Sequence, residues 1–298
     1  MQVSIASGKG GTGKTMVAVN LAAAIARHHL SPVFFLDCDV EAPNAALFLH
    51  PQFDTSLDVV DLVPHINETK CTLCGLCARN CQFNALVVSK SKILFFPELC
   101  HACGGCALIC PEQAITEVPA HTGIIRKGIF DSIPFFQGEL DIGRPSPVGI
   151  IKKMFQIQKQ ELINKASLPV TIVDSPPGVS CPLVASLQGT DFVILVTEPT
   201  PFGLHDLRMA VQLVRDEMHL PLGIIINKHD CGTQDVENYC QSAHLPILQR
   251  IPFSRHIAEI YANGQMLIDA EPSFEKDFIQ TWKNILALSI ATQNEEEG

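Results

Sequence analysis

The chain has 298 residues, 47% of them hydrophobic, and its 21 basic and 31 acidic residues give a net charge of -10. This composition is typical of a globular protein that buries a full core, and it excludes collagen-like, fibrous and disordered classes. Because no run of lysines and arginines could follow a phosphate backbone, we expect no nucleic-acid partner.

The sequence carries no evident membrane or secretion signal. The first residues lack a basic segment followed by an apolar stretch and a cleavage site, and no apolar run is long enough to cross a bilayer. The acidic residues within 291–298 would be repelled by an anionic membrane surface. We therefore expect a cytoplasmic location and no membrane anchor.

Apolar runs without polar alternation recur along the chain, with helical patterns between them, such as residues 15–27 and 203–218. Such strands are buried on both faces, so they predict an α/β fold with a mostly parallel sheet covered by helices on both faces. The glycine-containing segment 123–143 predicts strands or a hairpin. The predicted parallel strands are residues 2–7, 33–39, 170–174, 192–197, 222–227 and 247–251.

Residues 8–15, GKGGTGKT, match the phosphate-binding pattern G-x-x-x-x-G-K-[ST] and lie between the first strand and the following helix. In this motif, glycines allow successive backbone N–H groups to surround the phosphates, and the helix N-terminus adds positive potential. Lys14 would contact the β- and γ-phosphates, and the Thr15 hydroxyl would help to hold Mg²⁺. The predicted nucleotide-binding residues here are Gly8, Lys9, Gly10, Gly11, Thr12, Gly13, Lys14 and Thr15.

The segment KGGTGKT, with its additional Lys9, resembles the deviant Walker A motif of the MinD, ParA, Mrp and nitrogenase iron protein superfamily of P-loop ATPases. The resemblance implies ATP and ADP as ligands, ATP hydrolysis with Mg²⁺, and a nucleotide-sandwich homodimer or a heterodimer with a paralogue. In such a dimer, Lys9 would reach the partner's ATP and neutralise charge that develops during phosphoryl transfer. A solvated loop lysine with no such role is the alternative.

Three further residues take predicted roles from the same resemblance. Asp39, in LDCDVEAPN, matches switch I and would orient the attacking water and assist the metal. Asp174, in TIVDSPPG, matches the Walker B and switch II segment on the metal side. Asn227, in GIIINKHD, would face the purine edge; for Asp39 and Asn227, capping of a strand or helix is the alternative. The predicted catalytic residues are Lys9, Lys14, Asp39 and Asp174, and the predicted Mg²⁺ ligands are Thr15, Asp39 and Asp174.

Eight of the 12 cysteines fall between Cys71 and Cys110, where short loops replace long apolar runs. This clustering indicates metal in a reducing compartment rather than disulfides. We interpret residues 65–118 as a domain inserted into an ATPase domain whose two parts are residues 1–64 and 119–298.

Both cysteine runs have the spacing C-x₂-C-x₂-C-x₃-C, which is typical of two [4Fe-4S] clusters in a small α+β domain like that of bacterial ferredoxins. In that pattern, three cysteines of a run bind one cluster and the fourth binds the other. Zinc is the main alternative, but a tetrahedral zinc site would leave four thiolates unused unless two such sites formed. The predicted sets are Cys71, Cys74, Cys77 and Cys110 for the first cluster, and Cys100, Cys103, Cys106 and Cys81 for the second.

Cys181 lies seven residues after Asp174, the offset at which the nitrogenase iron protein has a ligand for a subunit-bridging cluster. Because no cysteine between Cys110 and Cys181 could supply the second ligand, we expect Cys181 to be a small buried thiol. His101, between two predicted ligands, could tune a cluster potential or be a solvated loop residue.

A nucleotide switch joined to two redox centres suggests three functions. These are ATP-gated electron transfer to a redox partner, assembly or delivery of iron–sulfur clusters to an acceptor, and MinD- or ParA-like positioning with a docking ferredoxin domain. The chain lacks the closely spaced C-terminal cysteine pair of the Mrp-type carriers, and it lacks a basic surface or membrane tail, so electron transfer is favoured. An ATP-dependent amide synthase would need a glutaminase domain for which 298 residues leave no room.

Overall fold

The computed structural model describes residues 1–163 and 168–296, with side chains described through residue 290. The acidic side chains within 291–298, on which part of the expected absence of a membrane anchor rests, lie outside the described residues. None of the described helices combines the length and hydrophobicity that a bilayer span requires.

The strands are short in the centre of the protein and much longer at one edge of its main sheet. Their bounds are β1 Gln2–Ala6, β2 Val33–Asp37, β3 Gln52–Ile66, β4 Leu86–Val88, β5 Ile93–Phe95, β6 Ile115–Phe130, β7 Ile133–Leu140, β8 Val170–Asp174, β9 Phe192–Thr197, β10 Leu222–Asn227 and β11 Ile247–Ile251.

Helices connect most of these strands. Their bounds are α1 Lys14–Arg27, α2 Ala46–Leu49, α3 Leu76–Asn80, α4 Gly105–Leu108, α5 Val148–Leu162, α6 Cys181–Ser186, α7 Pro201–Val211, α8 Asp235–Ser242, α9 Arg255–Ala262, α10 Leu267–Ala270 and α11 Pro272–Glu296, with a 3₁₀ turn at Pro97–Leu99 and a π-helical segment at Gln212–Glu217.

Within the described residues, nine strands form one sheet in the order β11-β10-β9-β1-β8-β2-β7-β6-β3. The pairs from β11 to β7 are parallel, whereas β6 pairs antiparallel with both β7 and β3. The six strands predicted as parallel are confirmed as β1, β2, β8, β9, β10 and β11, and the predicted hairpin is formed by β6 and β7. The α/β fold with a mostly parallel sheet is therefore confirmed.

Both faces of the sheet are covered, as the unbroken apolar strands predict. Along β2, Val33 and Phe35 enter one core with α1 and α11, whereas Phe34 and Leu36 enter another with α5 and α6. Helices α7 and α8 extend the second face over β9 and β10. Because helices cover both faces of the sheet, a ligand can reach the central strands only at their ends. In α/β sheets of this kind, the ligand binds at the carboxyl ends.

Strands β3 and β6 form a ribbon that extends from the main sheet to the cysteine-rich segment. Their pairing runs from Gln52 opposite Ile129 to Ile66 opposite Ile115. Residues 67–114 lie beyond that end and contain α3, α4 and the β4–β5 hairpin, with a small core of their own. The sequence analysis did not predict β3, because most of its side chains are exposed and no buried apolar run marks it.

Gly138 in β7 is the point at which β7 packs against both α5 and the loop after β2. A Cβ atom added there would lie 2.5 Å from Val40 Cγ1 and 2.8 Å from both Ile150 Cγ2 and Met154 Sδ. Each of these distances is shorter than a carbon–carbon or carbon–sulfur contact permits. The absence of a side chain at Gly138 therefore sets the distance between the sheet and α5.

We expect Gly138→Ala to lower the free energy of unfolding by about 1–3 kcal/mol, because the added methyl overpacks a closed core. Urea denaturation would measure the change. Gly105→Ala is a matched control, since a Cβ there meets only Cys103 Sγ at the ordinary distance of 3.7 Å. Equal stabilities of the two variants would contradict this description of the β7–α5 contact.

Candidate functional site

The carboxyl ends of the central strands bring the predicted phosphate-binding and carboxylate residues to one edge. In the sheet register, Asp174 of β8 lies beside Ile5 of β1 on one side and beside Asp37 of β2 on the other. The loop after β1 contains the glycine-rich motif and leads into α1. Strand pairing thus places both carboxylates next to the start of α1.

The glycine-rich loop has the backbone conformation that its glycines permit. Gly11 and Gly13 have positive φ angles of 78° and 98°, and a Cβ on Gly13 would lie 2.6 Å from Asn227 Nδ2. The Asn227 amide donates to the Thr12 carbonyl oxygen over 2.9 Å. The loop is therefore fixed from β10 before any nucleotide is present, and only glycine fits at position 13.

Lys14 and Thr15 begin α1 and are each only 5% exposed. The Thr15 hydroxyl donates to Asp174 Oδ2 over 2.6 Å, while Asp174 Oδ1 is buried without a hydrogen-bond partner among the described residues. The pKa of Asp174 is raised to about 6, mainly because the carboxylate is buried, and the nearby charge of Lys14 partly offsets this rise. An unpartnered buried carboxylate oxygen beside a threonine hydroxyl fits a Mg²⁺ site, since this ion prefers hard oxygen ligands.

Asp37 and Asp39 have different surroundings at the end of β2. Asp37 is fully buried and accepts hydrogen bonds from the N–H groups of Asp39 and Ala45, at 3.2 and 3.0 Å. Asp39 is 8% exposed; burial raises its pKa, and the Lys14 charge counteracts that effect. Asp37 thus holds the loop that carries Asp39, a role that the sequence analysis did not assign. The sequence offered a signal for this role, because Asp37 precedes Asp39 by two residues at the end of an apolar run.

Lys9 is half-buried and lies next to the exposed Gly10 and Gly11 in the loop. Its carbonyl oxygen accepts a 2.6 Å hydrogen bond from the Ser7 hydroxyl. Gly8 is packed against α7, because a Cβ there would lie 2.4 Å from the Asp206 carbonyl oxygen. No ion pair joins the Lys9 ammonium to the described part of the chain, so its charge is free for a ligand or a partner.

An open cleft of about 700 Å³ adjoins the glycine-rich loop; it includes the predicted residues Gly11, Gly13 and Asn227, whereas its other lining residues were not predicted. Its walls are largely apolar and aromatic, which suits a purine ring and its sugar. Most of the unpredicted lining residues come from the segment 252–261, which has no chemical motif of its own in the sequence. The lining residues are Gly11, Gly13, Met16, Asn227, Lys228, Pro252, Phe253, Ser254, Ile257, Ala258 and Tyr261.

Asn227 and Lys228 connect this cleft to the glycine-rich loop. The Asn227 side chain bridges the Thr12 carbonyl and the Lys228 N–H, the latter over 3.0 Å. Lys228 has a positive φ of 53°, and its ammonium lies 2.7 Å from the Glu198 carboxylate. Both polar ends of the Asn227 amide are thus engaged by the protein, and its predicted contact with the purine edge stays a prediction.

The cysteine-rich segment contains two separate small cavities. Each cavity is lined by three cysteines of one run and the last cysteine of the other. Within the described residues, no three or more His, Cys, Asp or Glu side chains are grouped as ligands of a single metal ion. The first cavity contains Cys71, Cys74, Cys77 and Cys110, and the second contains Cys81, Cys100, Cys103 and Cys106.

The two cysteine runs fold alike. Gly75 and Gly104, at equivalent positions, have φ angles of 74° and 72° and precede the short helices α3 and α4. The N–H groups of Ala85 and Ala114 donate to the sulfur atoms of Cys81 and Cys110, each over 3.3 Å. The sulfur positions in the two cavities are therefore set by the same backbone geometry.

Burial raises the pKa of Cys77 and, to about 11, that of Cys106. Because metals bind thiolates, loading of either cavity must displace these protons. His101 is exposed, and its ring stacks on Phe83 with centroids 3.7 Å apart.

The expectation for Cys181 was wrong, since its side chain is exposed. It is the first residue of α6, which starts in the turn after Asp174, and this position points away from the core. Cys231 is also exposed, whereas Cys38 and Cys240 are buried.

We expect the contribution of Mg²⁺ to nucleotide affinity to decrease when the pH is lowered below the pKa of Asp174, which is about 6. The protonated carboxyl cannot bind Mg²⁺, so the loss should approach tenfold per pH unit. Calorimetric titration with ADP at about pH 7.5 and about pH 5.5, with and without Mg²⁺, would measure it. Asp174→Asn should remove the Mg²⁺ dependence at both pH values, and an unchanged dependence would assign the metal to other groups.

Curated relatives cover nearly the whole chain. Two proteins of Methanocaldococcus jannaschii, both described as uncharacterized, are each 29% identical; one match covers 96% of this chain and 96% of the relative, the other 90% and 91%. A Brugia malayi protein described as a cytosolic Fe-S cluster assembly factor NUBP1 homolog is 23% identical, over 89% of this chain and 73% of its own length.

Among solved structures, the septum site-determining protein MinD of Pyrococcus horikoshii, complexed with Mg-ADP, is similar with a TM-score of 0.58 and 21% identity, over 94% of this chain and 93% of that chain. At this identity the likeness concerns the fold alone. A family model described as the CobQ/CobB/MinD/ParA nucleotide binding domain matches residues 3–268. With the glycine-rich loop and the two carboxylates at the same sheet edge, the chain belongs to this family of nucleotide-binding α/β P-loop proteins.

Proposed function

We propose that the chain is a Mg²⁺-dependent ATPase in which a nucleotide-driven dimer switch controls two [4Fe-4S] clusters, for electron transfer to a partner protein. The observation that carries this proposal is the crossed composition of the two cysteine cavities. Each collects four sulfur atoms, three from one run and one from the other. This arrangement is typical of paired clusters in ferredoxins.

The residues of each cavity fit a cubane cluster better than a single metal ion. A zinc ion needs its ligands at about 2.0–2.3 Å from one centre, and the described side chains contain no such group. In a cubane, each thiolate binds a different iron atom, so the four sulfurs are farther apart. When bound, a [4Fe-4S] cluster supplies a one-electron redox centre. The proposed inserted domain, residues 65–118, supplies its ligands and the N–H groups that donate to Cys81 and Cys110.

The nucleotide site supplies the parts of an ATPase. Lys14 and the N–H groups of the loop would bind phosphate oxygens, while Thr15, Asp174 and Asp39 would hold the metal. Asp39 is at the mouth of the same site, where its carboxylate orients the attacking water. Lys9 acts across a dimer, either with a second copy of the chain or with a paralogue, and its unpaired charge supports that role.

A short path through the backbone supports coupling between nucleotide and clusters. Val40, next to Asp39, accepts a 2.8 Å hydrogen bond from the N–H of Leu140 at the end of β7 and packs against Gly138. Strand β7 pairs with β6, which continues into the cysteine-rich segment. A shift of the Asp39 loop on nucleotide binding would therefore act directly on the ribbon that carries the cavities.

Iron–sulfur cluster assembly is the second candidate function. The observation that favours it is the Brugia malayi relative described as an Fe-S cluster assembly factor. Cys74 and Cys103, one in each cavity, are exposed, as a donor of clusters would require. Transfer of iron and sulfide to an apo-acceptor protein, dependent on ATP, would distinguish assembly from electron transfer.

We expect Cys110→Ser to eliminate one of two clusters after anaerobic reconstitution and to reduce bound iron from about eight to about four atoms. Combining it with Cys74→Ser should cause no further loss, because both residues line the first cavity. Combining it with Cys103→Ser should remove nearly all iron. Cys231→Ser, exposed and outside both cavities, is the control. The reverse pattern in the two double variants would overturn the crossed assignment.

We expect the non-hydrolysable ATP state, but not the ADP or nucleotide-free state, to shift the potential of at least one cluster in an EPR redox titration. A tenfold preference of ATP for one oxidation state corresponds to about 59 mV. Lys14→Ala should keep both clusters and lose the shift. Asp39→Ala should bind ATP, retain the shift and lose turnover. Identical potentials in all states would argue against gated electron transfer and in favour of assembly.

A further inference from the structure

A third cleft, of about 620 Å³, lies between the second cysteine cavity and the start of α5. It is separate from the nucleotide site and is polar, unlike the two cysteine cavities. One wall is formed by the loop that begins the second cysteine run, and the opposite wall by the loop after β7. The side chains that give it chemical character are Asp61, Cys100, His101, Thr122, Arg144 and Lys152.

The charges in this cleft are predominantly positive. Arg144 and Lys152 line it from the loop before α5 and from its second turn, and neither has an ion pair in the described part of the chain. The nearby Asp141 carboxylate is engaged by His121 Nδ1 over 2.6 Å. Asp61 is the one carboxylate among the lining residues. Two unpaired cations facing one carboxylate leave positive charge for an anionic ligand.

The start of α5 adds a hydrogen-bond donor to the same wall. The first bond of this 15-residue helix runs from the Ile151 N–H to the Pro147 carbonyl, so the N–H group of Gly149, which lines the cleft, precedes it. Gly149 also brings the helix close to Asp61, since a Cβ there would lie 2.6 Å from Asp61 Oδ1. The glycine thus places a side-chain acceptor and a backbone donor side by side.

We propose that this cleft is a binding site for a small anion that carries a carboxylate or phosphate group. Arg144 and Lys152 neutralise the anionic group, and Asp61 accepts a hydrogen bond from a hydroxyl or amino group elsewhere on the ligand. Anion binding here depends only on the protein walls. That the ligand lies beside a redox centre, through Cys100, rests on the proposed function.

The test is calorimetric titration of the reconstituted protein with inorganic phosphate and, separately, with malonate. A saturating non-hydrolysable ATP analogue with Mg²⁺ occupies the phosphate-binding loop and its γ-phosphate position first, so that binding there does not contribute. We expect saturable binding of at least one probe, and the tighter of the two identifies the preferred anionic group. Absence of saturable binding for both probes would overturn the proposal.

Variants locate the site. Arg144→Gln combined with Lys152→Gln should weaken binding by roughly tenfold or more, because two charge-assisted contacts are lost. Lys153→Gln, an exposed neighbour on α5 that does not line the cleft, should leave affinity unchanged. Gly149→Ala should also weaken binding, since the methyl displaces Asp61. Equal affinities in the double variant and in Lys153→Gln would place the anion elsewhere.

A spectroscopic readout separates this proposal from the proposed function. If clusters are present, the probe should perturb the EPR signal that survives Cys110→Ser and leave the signal that this variant removes unperturbed. Binding without bound iron would support the anion site and count against the clusters. A probe that perturbs only the first cluster would contradict the placement beside Cys100.

Discussion

Burial of the Asp174 carboxylate at the start of α1 constrains the surrounding structure. A carboxylate without water is costly unless other groups compensate, and here one oxygen is met by the Thr15 hydroxyl while the other has no partner among the described residues. Lys14 supplies the compensating charge from the same turn. The site is thus preorganised to take a cation, and the raised pKa of Asp174 reflects the same constraint.

The neighbouring strands β2 and β7 connect the Asp174 site to the rest of the sheet. Asp37, beside Asp174 in the register, uses its carboxylate to fix two N–H groups of the loop that carries Asp39. That loop meets the end of β7 through the Val40 carbonyl. Any ligand that moves Asp39 must therefore alter contacts with β7, whose distance from α5 is set by the missing side chain of Gly138. The loop after β2 therefore connects the charged groups around Asp174 with the packing of β7 against α5.

Local sequence predicted the features that depend on local chemistry. The unbroken apolar runs predicted the six central strands, the glycines predicted the loop conformation, and the cysteine spacing predicted the sets that share each cavity. Features created by distant contacts were not predicted. Asn227 reaches Thr12 only through the order of strands, the apolar cleft near Tyr261 combines three separate segments, and β3 is a strand through pairing rather than hydrophobicity. Cys181 is exposed because of where its helix begins, which its residue type does not indicate.

The β3–β6 ribbon also determines how far residues 67–114 can vary without disturbing the main sheet. The two strands that lead into and out of the cysteine-rich segment are adjacent and antiparallel, so residues 67–114 begin and end at neighbouring points in space. A change within these residues reaches the sheet only through β3 and β6, so residues 67–114 can differ in length or content without displacing a parallel strand. The matching turns at Gly75 and Gly104 give the two cysteine runs the same local backbone geometry.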